Sequence, residues 1–214
     1  MINEMVNIIG LGGIGSPTAL EVAHYGCSCL VLWDSDVVES HNPRNQIYDQ
    51  NDVGLPKVEA IARRIMGVVD WQNSQGNQMS LVLKQEKVSG QTDLSGIVIV
   101  AVDNIESRRE IFAACALKPS VALFIEAAAG ENVGVVRALN SLDQDQAGVY
   151  EKLLKNYSAG GQAPCVTPGM GGMFASLVVK WLDRLNRLER PFALTESSIF
   201  YNDEPTIVTE HILG

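Results

Sequence analysis

An α/β fold, with a mixed, largely parallel central sheet and helices on both faces, is predicted by three features of this 214-residue sequence. Apolar, strand-like runs alternate with helical-period segments through the first half. A glycine turn, Gly10-Leu11-Gly12-Gly13-Ile14-Gly15, separates the first run from the first helical segment. An apolar, mainly β-branched run at 97–102 has the composition of a central parallel strand covered on both faces. Together they predict a Rossmann-like N-terminal half over 1–103 and a second half over 104–214, joined in a single domain of a size that buries one full core.

The elements follow in order. Val6-Asn7-Ile8-Ile9 is a short strand ending in the glycine turn, and apolar residues then recur at helical spacing over 16–25 until Gly26. Leu30-Val31-Leu32-Trp33 is a second strand ending at Asp34, which completes a βαβ unit. After a polar, irregular stretch through Asn51, a helix is predicted over 57–66, with Pro56 at its start where a missing N–H is harmless. A strand over 80–88 and the run 97–102 follow, with Asp103 at the carboxyl end of the latter. A helix over 106–117 leads to strands at 123–125 and 134–139, close enough in sequence to pair antiparallel. The stretch 143–168 reads as a mobile crossover loop, with a short helical piece and the Gly160-Gly161 breaker before Cys165. A helix over 172–188 stops before Pro191, and runs at 198–201 and 206–212 are placed as a terminal hairpin.

Composition excludes several classes. A formal net charge of −9 with no Lys/Arg cluster argues against nucleic-acid and anionic-membrane partners. No apolar run reaches the roughly 18 residues of a membrane span, and the first residues lack the pattern of a signal peptide, so a cytoplasmic protein is expected. The cysteines Cys27, Cys29, Cys115 and Cys165 form no Cys-x-x-Cys pair and His24, His41 and His211 are scattered, which argues against structural zinc.

The glycine turn carries the first functional inference. In a strand-turn-helix unit the first glycine permits the tight turn, the second admits phosphate to the backbone, and the third lets helix pack on strand. Gly10, Gly12, Gly13, Ile14 and Gly15 are therefore candidate phosphate contacts at a helix N-terminus, and Asp34 is spaced to accept ribose hydroxyls. At this point a nicotinamide dehydrogenase, a methyltransferase and an ATP-using enzyme all remain open.

The residues that follow resemble the ThiF/MoeB superfamily, which includes the ubiquitin-activating enzymes. Its pattern is a glycine turn, Asp-x-Asp, Asn-Leu-x-Arg-Gln and Val-Gly-x-x-Lys. Here Asp34-Ser35-Asp36, Asn42-Pro43-Arg44-Asn45-Gln46 and Val53-Gly54-Leu55-Pro56-Lys57 keep that order, followed by Asp103-Asn104-x-x-x-Arg108 and Cys115. The resemblance implies adenylation by ATP and Mg²⁺ of the C-terminal carboxylate of a small ubiquitin-like or sulfur-carrier protein of β-grasp fold ending in Gly-Gly, with pyrophosphate released and a homodimeric enzyme. It implies Asp34 at the ribose, Asn42, Arg44, Asn45 and Gln46 near the phosphates, Lys57 as a point charge on them, and Asp103 as the Mg²⁺ ligand, with Asn104 and Arg108 beside it. The chemistry suits such a set: a carboxylate nucleophile is already ionised, so the enzyme must mainly position reactants and neutralise phosphate charge.

Each residue also has a plain structural alternative. Lys57 is equally placed as a solvated residue at a helix start, Asp103 as an N-cap, Arg108 as a surface partner of Glu106 or Glu110, and Asp36 as a loop-orienting residue. The sequence also departs from the family pattern. Asparagine, Asn45, occupies the arginine position while Arg44 stands one place earlier, and no arginine precedes Gly10, where many relatives carry one. Ala163-Pro164-Cys165 after a glycine-containing stretch is similar to compact bacterial, plasmid and phage members, which makes Cys165 a candidate nucleophile or a small helix-entry residue. Two other functions stay in play: an NAD(P)-dependent oxidoreductase, and a catalytically degenerate nucleotide-binding scaffold.

Overall fold

The computed structural model describes residues 1–129, 133–156, 168–187, 194–200 and 207–213. Among them one sheet runs in the order β3-β2-β1-β4-β5-β6-β7-β8. Its strands are β1 (Ile2–Ile9), β2 (Cys27–Trp33), β3 (Ser80–Lys84), β4 (Gly96–Val100), β5 (Val121–Ala129), β6 (Val133–Leu139), β7 (Leu194–Phe200) and β8 (Ile207–Leu213). The pairs among β3, β2, β1, β4 and β5 are parallel, and those from β5 through β8 are antiparallel. The mixed, largely parallel sheet and the antiparallel continuation are thus as the sequence predicts.

Alternation along the central strands explains the two helical layers. Ile97 and Ile99 of β4 face one layer, formed with α1 (Gly15–Tyr25), α2 (Lys57–Ser74) and α5 (Pro168–Asn186). Val98 and Val100 face the other, formed with α3 (Ile105–Cys115) and α4 (Gln144–Asn156). A strand buried on both sides must be apolar at every position, as this one is.

Strands β1 and β5 run longer than expected, and α2, β3 and α4 differ for identifiable reasons. Helix α2 runs on to Ser74 because its buried stripe, Val58, Ile61, Ile65 and Val69, continues to Gln72. The Gln72 amide donates to the carbonyls of Ala23 and His24 at 3.3 and 2.8 Å, a core role that a polar side chain conceals in sequence. Strand β3 ends at Lys84, well short of residue 88, and Val88 is buried in the α3/α4 layer. Residues 144–156, expected to fall largely in a mobile crossover loop, form a 13-residue helix. Asp143 starts it, its carboxylate accepting the N–H groups of Asp145 and Gln146 at 3.0 and 3.1 Å. Tyr150 holds it down, packed edge-on to Phe112 and Phe124 with centroids 4.7 and 5.4 Å apart.

In this order β1 and β4 lie side by side, yet the chain leaves β1 for α1 in one layer and β4 for α3 in the other. A crevice opens at the carboxyl ends of such strands, where ligands of open α/β sheets bind.

Candidate active site

A cleft of about 480 Å³ occupies that crevice, walled by the glycine turn, the end of β2, the start of α2 and the β4–α3 junction. The glycines divide by role. Gly10 has φ +89°, and a Cβ there would lie 2.8 Å from the Ala101 carbonyl oxygen. A Cβ on Gly15 would overlap the Gly10 carbonyl, so both positions serve the fold. A Cβ on Gly12, which lines the cleft, would meet no protein atom within 4 Å. The space beside Gly12 is open to a phosphate. No side chain caps α1 and no acidic residue lies in its first turn; since the Ser16 N–H already donates to the Gly12 carbonyl at 3.0 Å and Pro17 has no N–H, an anion would be met by the N–H groups of the glycine turn that leads into the helix.

The turn is clamped from outside. The Leu11 N–H donates to Asp34 Oδ2 at 2.7 Å, and the Leu11 carbonyl accepts the Tyr48 hydroxyl at 2.7 Å. Asp34 Oδ1 accepts the Asp36 N–H at 2.8 Å. Burial pushes the Asp34 carboxyl above the ordinary range for an aspartate, while Lys57 and the two N–H donors pull it back. Both of its oxygens keep a lone pair for a ligand hydroxyl. Lys57, only 8% exposed, is no solvated helix-start residue: it lines the cleft with Nζ 3.0 Å from Asp36 Oδ2.

The segment 42–46 is split by a short 3-10 turn, Asn42–Arg44. Asn42 is buried inside its own loop, its Oδ1 accepting the Glu39 N–H at 2.8 Å, and Arg44 is exposed; neither is among the cleft-lining residues. Asn45 and Gln46 do line the cleft. The Gln46 Oε1 atom is buried there without a hydrogen-bond partner among the described residues. The position where the family pattern has arginine therefore faces the cleft and carries Asn45.

Asp103, Asn104 and Arg108 come together on the opposite wall. The cap of α3 is Asn104, whose Oδ1 accepts the Ser107 N–H at 2.8 Å. Asp103 is thereby released from capping: among the described residues its exposed carboxylate accepts the Asn104 amide alone, at 3.4 Å. Among the described residues no group of three His, Cys, Asp or Glu side chains could hold a metal. One free carboxylate beside a phosphate pocket nonetheless suits Mg²⁺, which takes one or two carboxylates and completes its shell with phosphate oxygens and water. Arg108 is buried rather than paired at the surface. Its Nε and Nη2 donate to the Val102 carbonyl at 3.1 and 2.9 Å, directly before Asp103, and its Nη1 lies 3.4 Å from Glu126 Oε1.

Sequence reading missed Trp33, Glu86, Lys87, Ala127 and Ala129 as cleft residues. Each lies near or just beyond the carboxyl end of a strand, a positional signal that requires knowing where the strands stop. It also missed Glu126, a fully buried carboxylate hidden in an apolar strand sequence. Burial pushes the Cys27 and Cys115 thiols up to about 12, so neither is a thiolate at neutral pH. Cys165 lies outside the described residues, three positions before α5 begins.

Known proteins share the family pattern and the fold. The model of a family described as the ThiF family matches residues 2–205. The sulfur carrier protein ThiS adenylyltransferase of Escherichia coli K12 is 31% identical over 121 residues, 54% of this chain and 45% of that protein. The ubiquitin-like modifier-activating enzyme 5 of Drosophila pseudoobscura pseudoobscura is 32% identical over 125 residues, 53% of this chain and 31% of its own length. The chain thus spans less than half the length of these two relatives. Among solved structures, E. coli MccB with succinimide superposes with a TM-score of 0.69 at 19% identity, covering 99% of this chain and 64% of that one. PaaA superposes at 0.66 and 20% identity, covering 98% of this chain and 72% of that one.

Proposed function

The chain belongs to the ThiF family, and from that premise we propose that it adenylates the C-terminal carboxylate of a small ubiquitin-like or sulfur-carrier protein with ATP. The carrier carboxylate attacks the α-phosphorus, the bond to the β-phosphate breaks, and pyrophosphate leaves. The observation that carries the reading is the pairing, across one cleft, of an unfilled phosphate space at Gly12 with Lys57 on one wall and Asp103 and Arg108 on the other.

The residues divide the work by chemistry. Asp34 takes the ribose hydroxyls while it fixes the Leu11 N–H. Lys57, presented by the buried first turn of α2, exchanges Asp36 for phosphate oxygens. Arg108 supports the backbone that presents Asp103 and contributes positive charge where pyrophosphate departs. Mg²⁺ held by Asp103 would neutralise phosphate charge. No general base is required, since the attacking carboxylate is ionised at neutral pH. The enzyme works in the cytoplasm as a homodimer on a carrier ending in Gly-Gly, and the Cys165 thiol takes the acyl group as a thioester, losing its proton as AMP leaves.

The test is incubation with ATP, Mg²⁺ and candidate carriers ending in Gly-Gly, followed by intact-mass measurement. A carrier bearing AMP, or its adduct on Cys165, supports the reading; no AMP transfer to any carrier, alongside tight NAD binding, overturns it. One observation favours a second reading, a nucleotide-binding scaffold without catalysis: no arginine of the 42–46 segment lines the cleft. That reading expects ATP binding without AMP transfer.

A further inference from the structure

We propose that Glu126 is a positioning residue for the nucleotide cleft, its buried carboxylate holding Arg108 in place; the inference rests on the reading of that cleft as an ATP site. Glu126 is fully buried on β5, between two arginines, and is not among the residues that line the cleft. Its Oε2 accepts Arg137 Nη1 at 2.8 Å, and its Oε1 lies 3.4 Å from Arg108 Nη1. Arg137 is in turn fixed by Glu196 on β7, at 2.7 Å from Nε and 2.6 Å from Nη2. The antiparallel strands thus form a rigid backing that ends in one carboxylate oxygen directed at the guanidinium of a cleft residue.

The bonding pattern assigns that oxygen its task. Arg108 commits Nε and Nη2 to the Val102 carbonyl, which orients the plane of the guanidinium but leaves Nη1 to be held from elsewhere. Glu126 Oε1 is the charged group on that side, in ion-pair range of Nη1 and without a hydrogen bond among the described residues. A buried ion-pair group of this kind gives little stability over well-packed apolar residues, so its value lies in the geometry it imposes. Losing the Glu126 charge frees the guanidinium, and with it the Val102 carbonyl that precedes Asp103. Tyr150 of α4 closes the same buried space, where burial and the Glu126 carboxylate push its phenol well above the ordinary range.

The test is a double-mutant cycle on the full chain, reading Mg-ATP affinity by calorimetry. Glu126→Gln is expected to weaken binding about tenfold and Arg108→Ala at least as much, with the double variant no weaker than Arg108→Ala alone. Losses that multiply overturn the proposal, because a merely structural carboxylate would act independently of Arg108. So does an affinity unchanged in Glu126→Gln. Where Glu126→Gln fails to fold, Glu126→Asp keeps the charge but shortens its reach; a loss of affinity that disappears in the Arg108→Ala background supports the proposal, and one that persists overturns it. ATP binding by the unaltered protein without AMP transfer would overturn the adenylation reading alone, and absence of ATP binding would overturn both.

Discussion

Gly12 and Asp103 are positions where the fold asks nothing of the side chain and the proposed chemistry asks much. A Cβ at Gly12 meets no protein atom, so Gly12→Ala should leave the thermal midpoint nearly unchanged while weakening ATP binding by about tenfold or more, because the methyl group fills the phosphate space. Parallel thermal melts and ATP titrations check the separation. Asp103→Asn should fold normally, since Asn104 and not Asp103 caps α3, and should lower adenylate formation by about 100-fold at saturating carrier. Asp52 gives the complementary case, a carboxylate that works for the fold. Its burial pushes the carboxyl up, but hydrogen bonds from Arg64 and the Asp49 N–H outweigh this and leave it below the ordinary range. A lowered folded-state value means stabilisation that is present above the unfolded value of about 4 and is lost as pH falls through the folded value. Asp52→Asn should therefore cost about 2 kcal/mol at pH 7 in urea unfolding, with the gap from the unaltered protein closing in acid.

Helix α5 is tied to the glycine turn through its first turns. A Cβ on Gly171 would run into the Gly13 carbonyl and lie 2.9 Å from Pro17 Cγ, whereas one on Gly172 would meet nothing within 4 Å. Gly171→Ala should therefore destabilise the protein by about 1–3 kcal/mol and disturb ATP binding, because the glycine turn must move to make room. Gly172→Ala should be neutral or stabilise by about 0.5–1 kcal/mol, as alanine does in a helix interior. At this scale the sequence was informative where a local pattern and its burial coincide. The run at 97–102 and the βαβ unit ending at Asp34 were legible for that reason. Helix α4 was legible only as a short helical piece, because Ala147, Tyr150 and Leu154 become a buried stripe only once Phe112 and Phe124 are known to face them. The site shows the same division. The motifs place Lys57 and Asp103 at the cleft by their spacing in the chain. Arg44 lies on the solvent side, which depends on how a 3-10 turn rotates the 42–46 segment. Glu126 joins Arg108 through strand pairing distant in sequence, which no local pattern encodes.

The parallel half of the sheet opens the crevice proposed for the nucleotide, and the antiparallel half backs it with charge. Since the cleft draws on β1, β2, β5, α2, α3 and the segment after β4 together, ATP should stabilise the entire fold, by about 2.7 kcal/mol at a hundredfold excess over Kd and so with a higher thermal midpoint. Nicotinamide cofactors should produce no comparable rise in a melting series. The central claim, that this crevice activates a carrier's C-terminal carboxylate with ATP, is tested most directly by carrier-dependent exchange of labelled pyrophosphate into ATP. The exchange should require Mg²⁺ and a carrier with an intact Gly-Gly end, and should collapse in Asp103→Asn. A protein that binds Mg-ATP tightly yet gives no exchange with any such carrier would contradict it.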